Sequence, residues 1–239
     1  MKLAIITALH ERYGLTRLFL KYYSELVVDG VELGLFCAVT KTENKMHQLV
    51  EDFPMWTPTF TENKPLTHKF ASSMAHIKDY DAMMIIGSDD FINAGYITEG
   101  VKRLASADYI GGNMIHYLNL GTEHMIKQWD VLGNPIGAGR MLSRNLLEHL
   151  DWMPWDFSTP GLDNSMVQKM LYEGIVPEVM ENYEAFGGAM LDVKMKDGHG
   201  IEMNQTPYST VRRWPHQQVN AQSYLDKYFP SLKQTLLTW

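Results

Sequence analysis

The chain has 239 residues, 45% hydrophobic and 21% charged, which is ordinary globular composition with length enough for a full core. A net charge of −7 excludes a protein whose whole surface is a nucleic-acid footprint, because phosphate neutralisation needs clustered Lys and Arg. The longest apolar runs, such as residues 82–86, fall far short of the roughly 20 residues a membrane-spanning helix needs, so no membrane association is expected.

The N-terminus enters strand-like sequence directly, without a signal segment. Residues 3–7 form a short apolar run, Leu15, Leu18, Phe19 and Tyr22 recur at helical spacing, and residues 31–39 read as a second strand, giving one β-α-β unit. Within that second strand Cys37 reads as a buried thiol, in keeping with a reducing cytoplasm. A polar helix is predicted near 43–51, and Pro54, Pro58 and Pro65 then mark a loop. Phe70, Met74 and Ile77 give one face of a further helix. Residues 81–86 form a buried strand ending in Gly87-Ser88-Asp89-Asp90, which delivers two carboxylates to its carboxyl end. Later, 109–118 reads as a strand, and 143–150 and 163–173 as helices. The alternation predicts an α/β fold on a mainly parallel sheet, with neither linker nor internal repeat.

Ligands of open parallel sheets bind beyond the carboxyl ends of the strands, where Asp89 and Asp90 stand. Adjacent carboxylates suit Mg²⁺ or Mn²⁺, hard ions that leave positions open for substrate phosphates. The same dipeptide also suits a helix N-cap before 91–95, or a turn. Gly137 and Gly139 lack the third glycine of a dinucleotide fingerprint, position 142 being Leu. Neither a GxxxxGK[ST] loop nor a GxSxG elbow occurs, and the histidines show no zinc spacing. Trp152-Met153-Pro154-Trp155, with Trp129 and Phe157, is either core or a stacking surface for a sugar or flat base.

Four segments together resemble the GT-A glycosyltransferases, the family-2-like members in particular. They are Ile5-Ile6-Thr7-Ala8-Leu9-His10-Glu11-Arg12, the stretch from Pro65 through Ser88-Asp89-Asp90, Gly137-Ala138-Gly139-Arg140-Met141-Leu142-Ser143-Arg144, and Gly161-Leu162-Asp163-Asn164. The first looks like the family's nucleotide-binding loop, the second ends in a DXD-type motif, the third looks like a turn and helix start, and the fourth stands where inverting members place an acidic base.

The resemblance implies a GT-A type fold, a Rossmann-like mainly parallel central sheet flanked by helices. It implies one domain over 1–239, with 1–110 the nucleotide-sugar half and 111–239 the acceptor half. Thr7, Ala8, His10, Glu11, Arg12, Lys69, Ser88, Asp89 and Lys194 would bind the donor, with Asp89 toward the ribose. Asp90 and His199 would hold Mn²⁺ or Mg²⁺, and Asp163 would be the catalytic base. Asp156 is a rival base, an N-cap is the alternative for Asp163, and an exposed turn the alternative for His199. The implied donor is a nucleotide sugar, a UDP-sugar first, and the acceptor a saccharide or other hydroxylated small molecule. Transfer to a hydroxymethylated DNA base is a second expectation, allowed by Tyr208, Arg212, Arg213 and Trp214, and sugar-1-phosphate nucleotidyl transfer a third.

Overall fold

The computed structural model describes residues 1–63, 65–130, 133–157, 161–194 and 216–239. The chain begins β1 (Lys2–Leu9), α1 (Tyr13–Glu25), β2 (Glu32–Thr40), α2 (Asn44–Glu51), β3 (Trp56–Thr61), α3 (Leu66–Ala71) and β4 (Ala82–Ile85). It continues with β5 (Asp90–Ile92), α4 (Ala94–Arg103), β6 (Tyr109–Gly112), β7 (Met114–Asn119), β8 (His124–Trp129), β9 (Arg140–Ser143), α5 (Arg144–His149) and α6 (Leu162–Tyr172). The last described elements are β10 (Glu178–Met180), β11 (Met190–Lys194), β12 (Gln217–Asn220), α7 (Ala221–Tyr228) and α8 (Pro230–Leu237).

A seven-stranded sheet runs in the order β10-β6-β9-β4-β1-β2-β3, and a five-stranded sheet in the order β12-β8-β7-β11-β5. In the first sheet β3, β2, β1 and β4 are mutually parallel, and β9 alone runs antiparallel, between β4 and β6. Burial on both faces explains why β1 is apolar from Leu3 to Ile6. Leu3 and Ile5 join the core under α1 and α2, whereas Ala4 and Ile6 join the core under α3, α5 and α6. This is the α/β, mainly parallel, helix-flanked architecture expected.

Three local expectations are corrected. The proline stretch is not all loop, since β3 contains Pro58. It can, because β3 is an edge strand paired only with β2, where one missing N–H costs no ladder bond on the open side. Residues 109–118 are two strands in different sheets, β6 and β7, divided at Asn113. Residues 137–144 are not a turn leading straight into a helix, because β9 intervenes. There Met141 and Leu142 face opposite cores, the period of a strand buried on both sides.

The second sheet is tied to the first through α4. Gly95 lies so close to the Gly187 carbonyl that a side-chain carbon there would collide with backbone, so this contact admits only glycine. His116 on β7 sits beside Leu191 of β11, fully buried and stacked on Tyr224 of α7 at 4.0 Å. Burial, reinforced by the Lys127 cation, lowers its imidazole to about 3, while Glu184 lies 3.5 Å from its Nε2. The unfolded chain therefore binds a proton at His116 between pH 6.5 and 3 that the folded chain refuses, so this contribution to stability is full above pH 6.5 and is lost as the pH falls through that window. We predict that urea unfolding of His116→Gln, followed against pH, lacks up to roughly 1.4 kcal/mol per pH unit of the wild-type decline over that window. Parallel curves for the two proteins would refute it.

Candidate active site

β4 ends at Ile85 and the chain turns through Gly87 into β5. The Gly87 N–H donates to Asp90 Oδ2 at 2.7 Å, and the Asp90 N–H donates to the Gly87 carbonyl at 3.2 Å. A Cβ at position 87 would stand 2.7 Å from Asp90 Oδ2 and 3.1 Å from Asp89 Oδ1, so glycine is what lets both carboxylates fold back over the turn. The turn alternative thus holds, and the N-cap alternative does not, since the cap of α4 is Asn93, whose Oδ1 accepts from Tyr96 N–H.

β5 pairs antiparallel with β11 so that Asp90 lies directly opposite Asp192. One oxygen each from Asp89, Asp90 and Asp192 falls within 4.8 Å of the others, and all three residues are buried. Asp192 Oδ1 has no hydrogen-bond partner. A cluster of three buried carboxylates, one of which keeps an unpartnered oxygen, could hold a hard metal cation. Asp192 is the residue sequence reasoning missed. Its signal was the two-residue period of a strand, which sets Asp192 and Lys194 on one face of β11.

Two cations answer the carboxylates. Lys194 Nζ lies 2.6 Å from Asp192 Oδ2 and 3.4 Å from Asp89 Oδ2. Arg12 Nη1 lies 3.2 Å from Asp89 Oδ2, and its Nη2 donates to Ser88 Oγ at 2.7 Å. Burial, and then the neighbouring carboxylates of Asp192 and Asp89, hold Asp90 well above the usual range. Burial pushes Asp192 up to about 7 against the pull of Lys194. For Lys194 burial works downward, but Asp192 and Asp89 outweigh it and hold the ammonium above its ordinary value.

The loop after β1 supplies Arg12. Glu11 and Arg12 both have φ near 49°, a left-handed conformation costly for side-chain-bearing residues, and the surroundings hold it. Glu43 accepts from the Glu11 N–H at 2.6 Å and from His10 Nδ1 at 2.9 Å, while Thr16 Oγ1 donates to the Glu11 carbonyl at 3.2 Å. Nothing in the sequence pattern marks Glu43, because its partners lie on a loop 32 and 33 positions earlier.

The remaining expected residues divide. Ser88, Asp89, Asp90, Arg12 and Lys194 come together, and His10 and Glu11 stand on the adjoining loop. Thr7 is fully buried in β1, and Ala8 is half-buried. Lys69 is a correction as a donor ligand. Its ammonium is spent on the chain itself, donating to Leu9 O at 2.6 Å, Thr40 Oγ1 at 2.8 Å and Asn63 Oδ1 at 3.2 Å, and burial lowers it to about 8. It ties the carboxyl ends of β1 and β2 to the segment after β3. His199 and the segment 208–214 lie outside the described residues.

Asp163 stands in the first turn of α6, whose N-cap is Gly161 without any side-chain cap bond, so the N-cap alternative is corrected. Its carboxylate fills the space a side chain at Gly137 would take. Arg140 Nη1 is 3.7 Å from Asp163 Oδ1, and Arg140 in turn donates to Ile136 O and Pro135 O at 3.0 Å each. Because Arg140 pairs with Ile85, the last residue of β4, Asp163 stands at the sheet end from which Asp89 and Asp90 project. Asp156 is pinned through its backbone to Ser165, its N–H donating and its carbonyl accepting. Trp155 is core, packed on Phe70, whereas Trp129 and Phe157 are partly exposed. Among the described residues no helix is long and apolar enough to cross a membrane.

A mainly parallel sheet with paired carboxylates after its fourth strand, completed by a late strand from a second sheet, defines a GT-A-like fold. No protein-family model matches the sequence, and no curated protein does. Solved structures do. TarS of S. aureus, determined in complex with UDP-GlcNAc, superposes with a TM-score of 0.57 at 11% identity, over 83% of this chain and 60% of that one. A 4-diphosphocytidyl-2C-methyl-D-erythritol synthase from Anaerococcus prevotii superposes with a TM-score of 0.52 at 10% identity, over 95% of this chain and 96% of that one. This chain therefore spans three-fifths of the TarS chain and nearly all of the synthase. At such identities the likeness is one of fold.

Lys194 and Asp192 are both largely buried, and removing one member of a buried ion pair leaves the other uncompensated. We predict that Asp192→Asn lowers unfolding free energy by roughly 3–5 kcal/mol, and that Asp192→Asn with Lys194→Met together cost less than the sum of the single changes. Additive costs in urea titrations would show that the pair does not couple.

Proposed function

We propose that the chain is a metal-dependent glycosyltransferase that moves a sugar from a nucleotide-sugar donor, a UDP-sugar first, to an acceptor hydroxyl. The observation that carries this is the junction at one sheet end of three converging carboxylates, two cations, and a separate carboxylate held by Arg140. Asp90, Asp192 and Asp89 would hold Mg²⁺ or Mn²⁺, which when bound neutralises charge developing on a departing nucleoside diphosphate. Arg12 and Lys194 flank that position and supply donors to phosphate oxygens. His10 and Glu11 border the nucleotide. Asp163 accepts the acceptor's proton, and Arg140 fixes its direction, so transfer inverts the anomeric centre. Residues 1–110 contribute most of the donor side, but Asp192 and Lys194 from the later half complete it.

Nucleotidyl transfer to a sugar phosphate is the second reading. The observation favouring it is the match in extent with the synthase, which covers nearly the whole of both chains. Against it, Ala8-Leu9 at the end of β1 and His10-Glu11 just after it stand where such enzymes carry a glycine-rich turn. The two readings differ in the nucleotide retained: a diphosphate for sugar transfer, a triphosphate for nucleotidyl transfer.

The test is thermal and urea stability against nucleoside di- and triphosphates, each with and without Mn²⁺. A ligand selective for the native state stabilises it by about 2.7 kcal/mol at a hundredfold excess over Kd. We predict a shift that requires Mn²⁺ and one nucleoside diphosphate, and that disappears in Asp90→Asn. A metal-dependent shift with triphosphates alone would favour nucleotidyl transfer, and no metal-dependent shift would refute both readings.

A further inference from the structure

Lys194 bridges two of the three converging carboxylates. Its Nζ is 2.6 Å from Asp192 Oδ2 and 3.4 Å from Asp89 Oδ2, while Arg12 Nη1 shares Asp89 Oδ2 at 3.2 Å. Two permanent cations thus already answer three carboxyl groups among buried side chains. A divalent ion added alone brings a surplus of positive charge into a poorly solvated place, and it competes with an ammonium for oxygens of Asp192 and Asp89. A diphosphate added alone finds both cations already paired with carboxylates. Added together, the ion takes the carboxylate oxygens and the diphosphate takes the cations.

From this geometry we propose that Lys194 is an exchangeable internal counter-ion. On loading, its ammonium leaves Asp192 and Asp89 to the divalent ion and passes to the diphosphate, so that ion and diphosphate bind as one cooperative unit. The proposal rests on the donor-site reading above and goes beyond it by stating how the two ligands depend on each other. No bond is made or broken, only ion pairs are exchanged. The four-carbon stem of Lys194 suits such a swing, whereas Arg12 is fixed to Ser88 by a second bond at 2.7 Å. By linkage the coupling is reciprocal: whatever factor the diphosphate adds to metal affinity, the metal adds to diphosphate affinity.

The test is a Mn²⁺ titration of the full chain read by the electron paramagnetic resonance of free Mn²⁺, alone and with UDP, CDP or inorganic pyrophosphate. In wild type the dissociation constant of Mn²⁺ is expected to tighten at least roughly tenfold with one of these anions. In Lys194→Met, Mn²⁺ alone is expected to bind more tightly than in wild type, because the competing ammonium is gone, and the anion is expected to add little. Lys194→Arg, which keeps a cation over the buried carboxylates, is expected to keep the coupling, and it decides the matter should Lys194→Met not fold. Mn²⁺ and an anion binding independently in wild type would overturn the exchange and leave the donor site standing. So would Mn²⁺ alone binding no more tightly to Lys194→Met, or loss of the coupling in Lys194→Arg. Failure of every anion to bind, with or without Mn²⁺, would overturn the exchange together with the donor-site reading.

Discussion

The antiparallel pairing of β5 with β11 sets two carboxylates, Asp90 and Asp192, face to face inside the protein. Like charges directly opposite on a sheet repel, and burial makes the repulsion worse. The arrangement persists because Lys194, two residues along the same face, and Arg12, from the loop after β1, bring positive charge to the same place. Much of the surrounding structure follows from that need. The turn after β4 must lead Asp89 and Asp90 into β5, β11 must deliver Asp192 and Lys194 opposite them, and the backbone contact of Gly95 in α4 with Gly187 holds the segment that leads into β11.

The loop that carries Arg12 meets the same constraint by strain. Two successive residues in the left-handed region would relax if left alone. Glu43 prevents it by accepting the Glu11 N–H and holding His10, while Asn63 links His10 Nε2 to the Lys69 ammonium through its two amide atoms, at 3.3 and 3.2 Å. Lys69 is thus an internal brace, whose three donors hold strand ends in register. A lysine near a ligand site draws a ligand assignment from sequence, and only its surroundings show that its hydrogen bonds are already used.

How far the sequence discloses the fold depends on where the information is local. β1, α1, β2 and β4 are legible because apolar runs and helical spacing are properties of neighbouring residues. The Gly87-Ser88-Asp89-Asp90 turn is legible because its place follows from the buried strand before it. β3 is hidden, because Pro58 is a breaker everywhere except on an edge, and edges are set by topology. The division of 109–118 is hidden, because both halves are apolar and only the second sheet shows that Asn113 separates them. Asp192 and Glu43 are hidden for a deeper reason: each matters through partners far away in sequence. Asp192 is one apolar-flanked acid among many until β11 is seen opposite β5.

The ion site by itself does not choose between the two chemistries proposed, since a cation held by carboxylates suits phosphate departure in either. The choice lies on the other side of the sheet end, where the acceptor must lose a proton. A sugar phosphate attacking a nucleotide already carries its negative charge and needs no base. A hydroxyl needs one. Asp163 has the attributes of that base. It belongs to no cap, its side chain is 61% exposed, and it is held by an arginine that is itself buried and fixed to two backbone carbonyls. An anchored arginine aiming a solvent-facing carboxylate contributes little as an exposed ion pair. It makes physical sense as the means of pointing that carboxylate, and a carboxylate so aimed, at the sheet end where we propose a diphosphate binds, is what the proposed transfer to a hydroxyl would use.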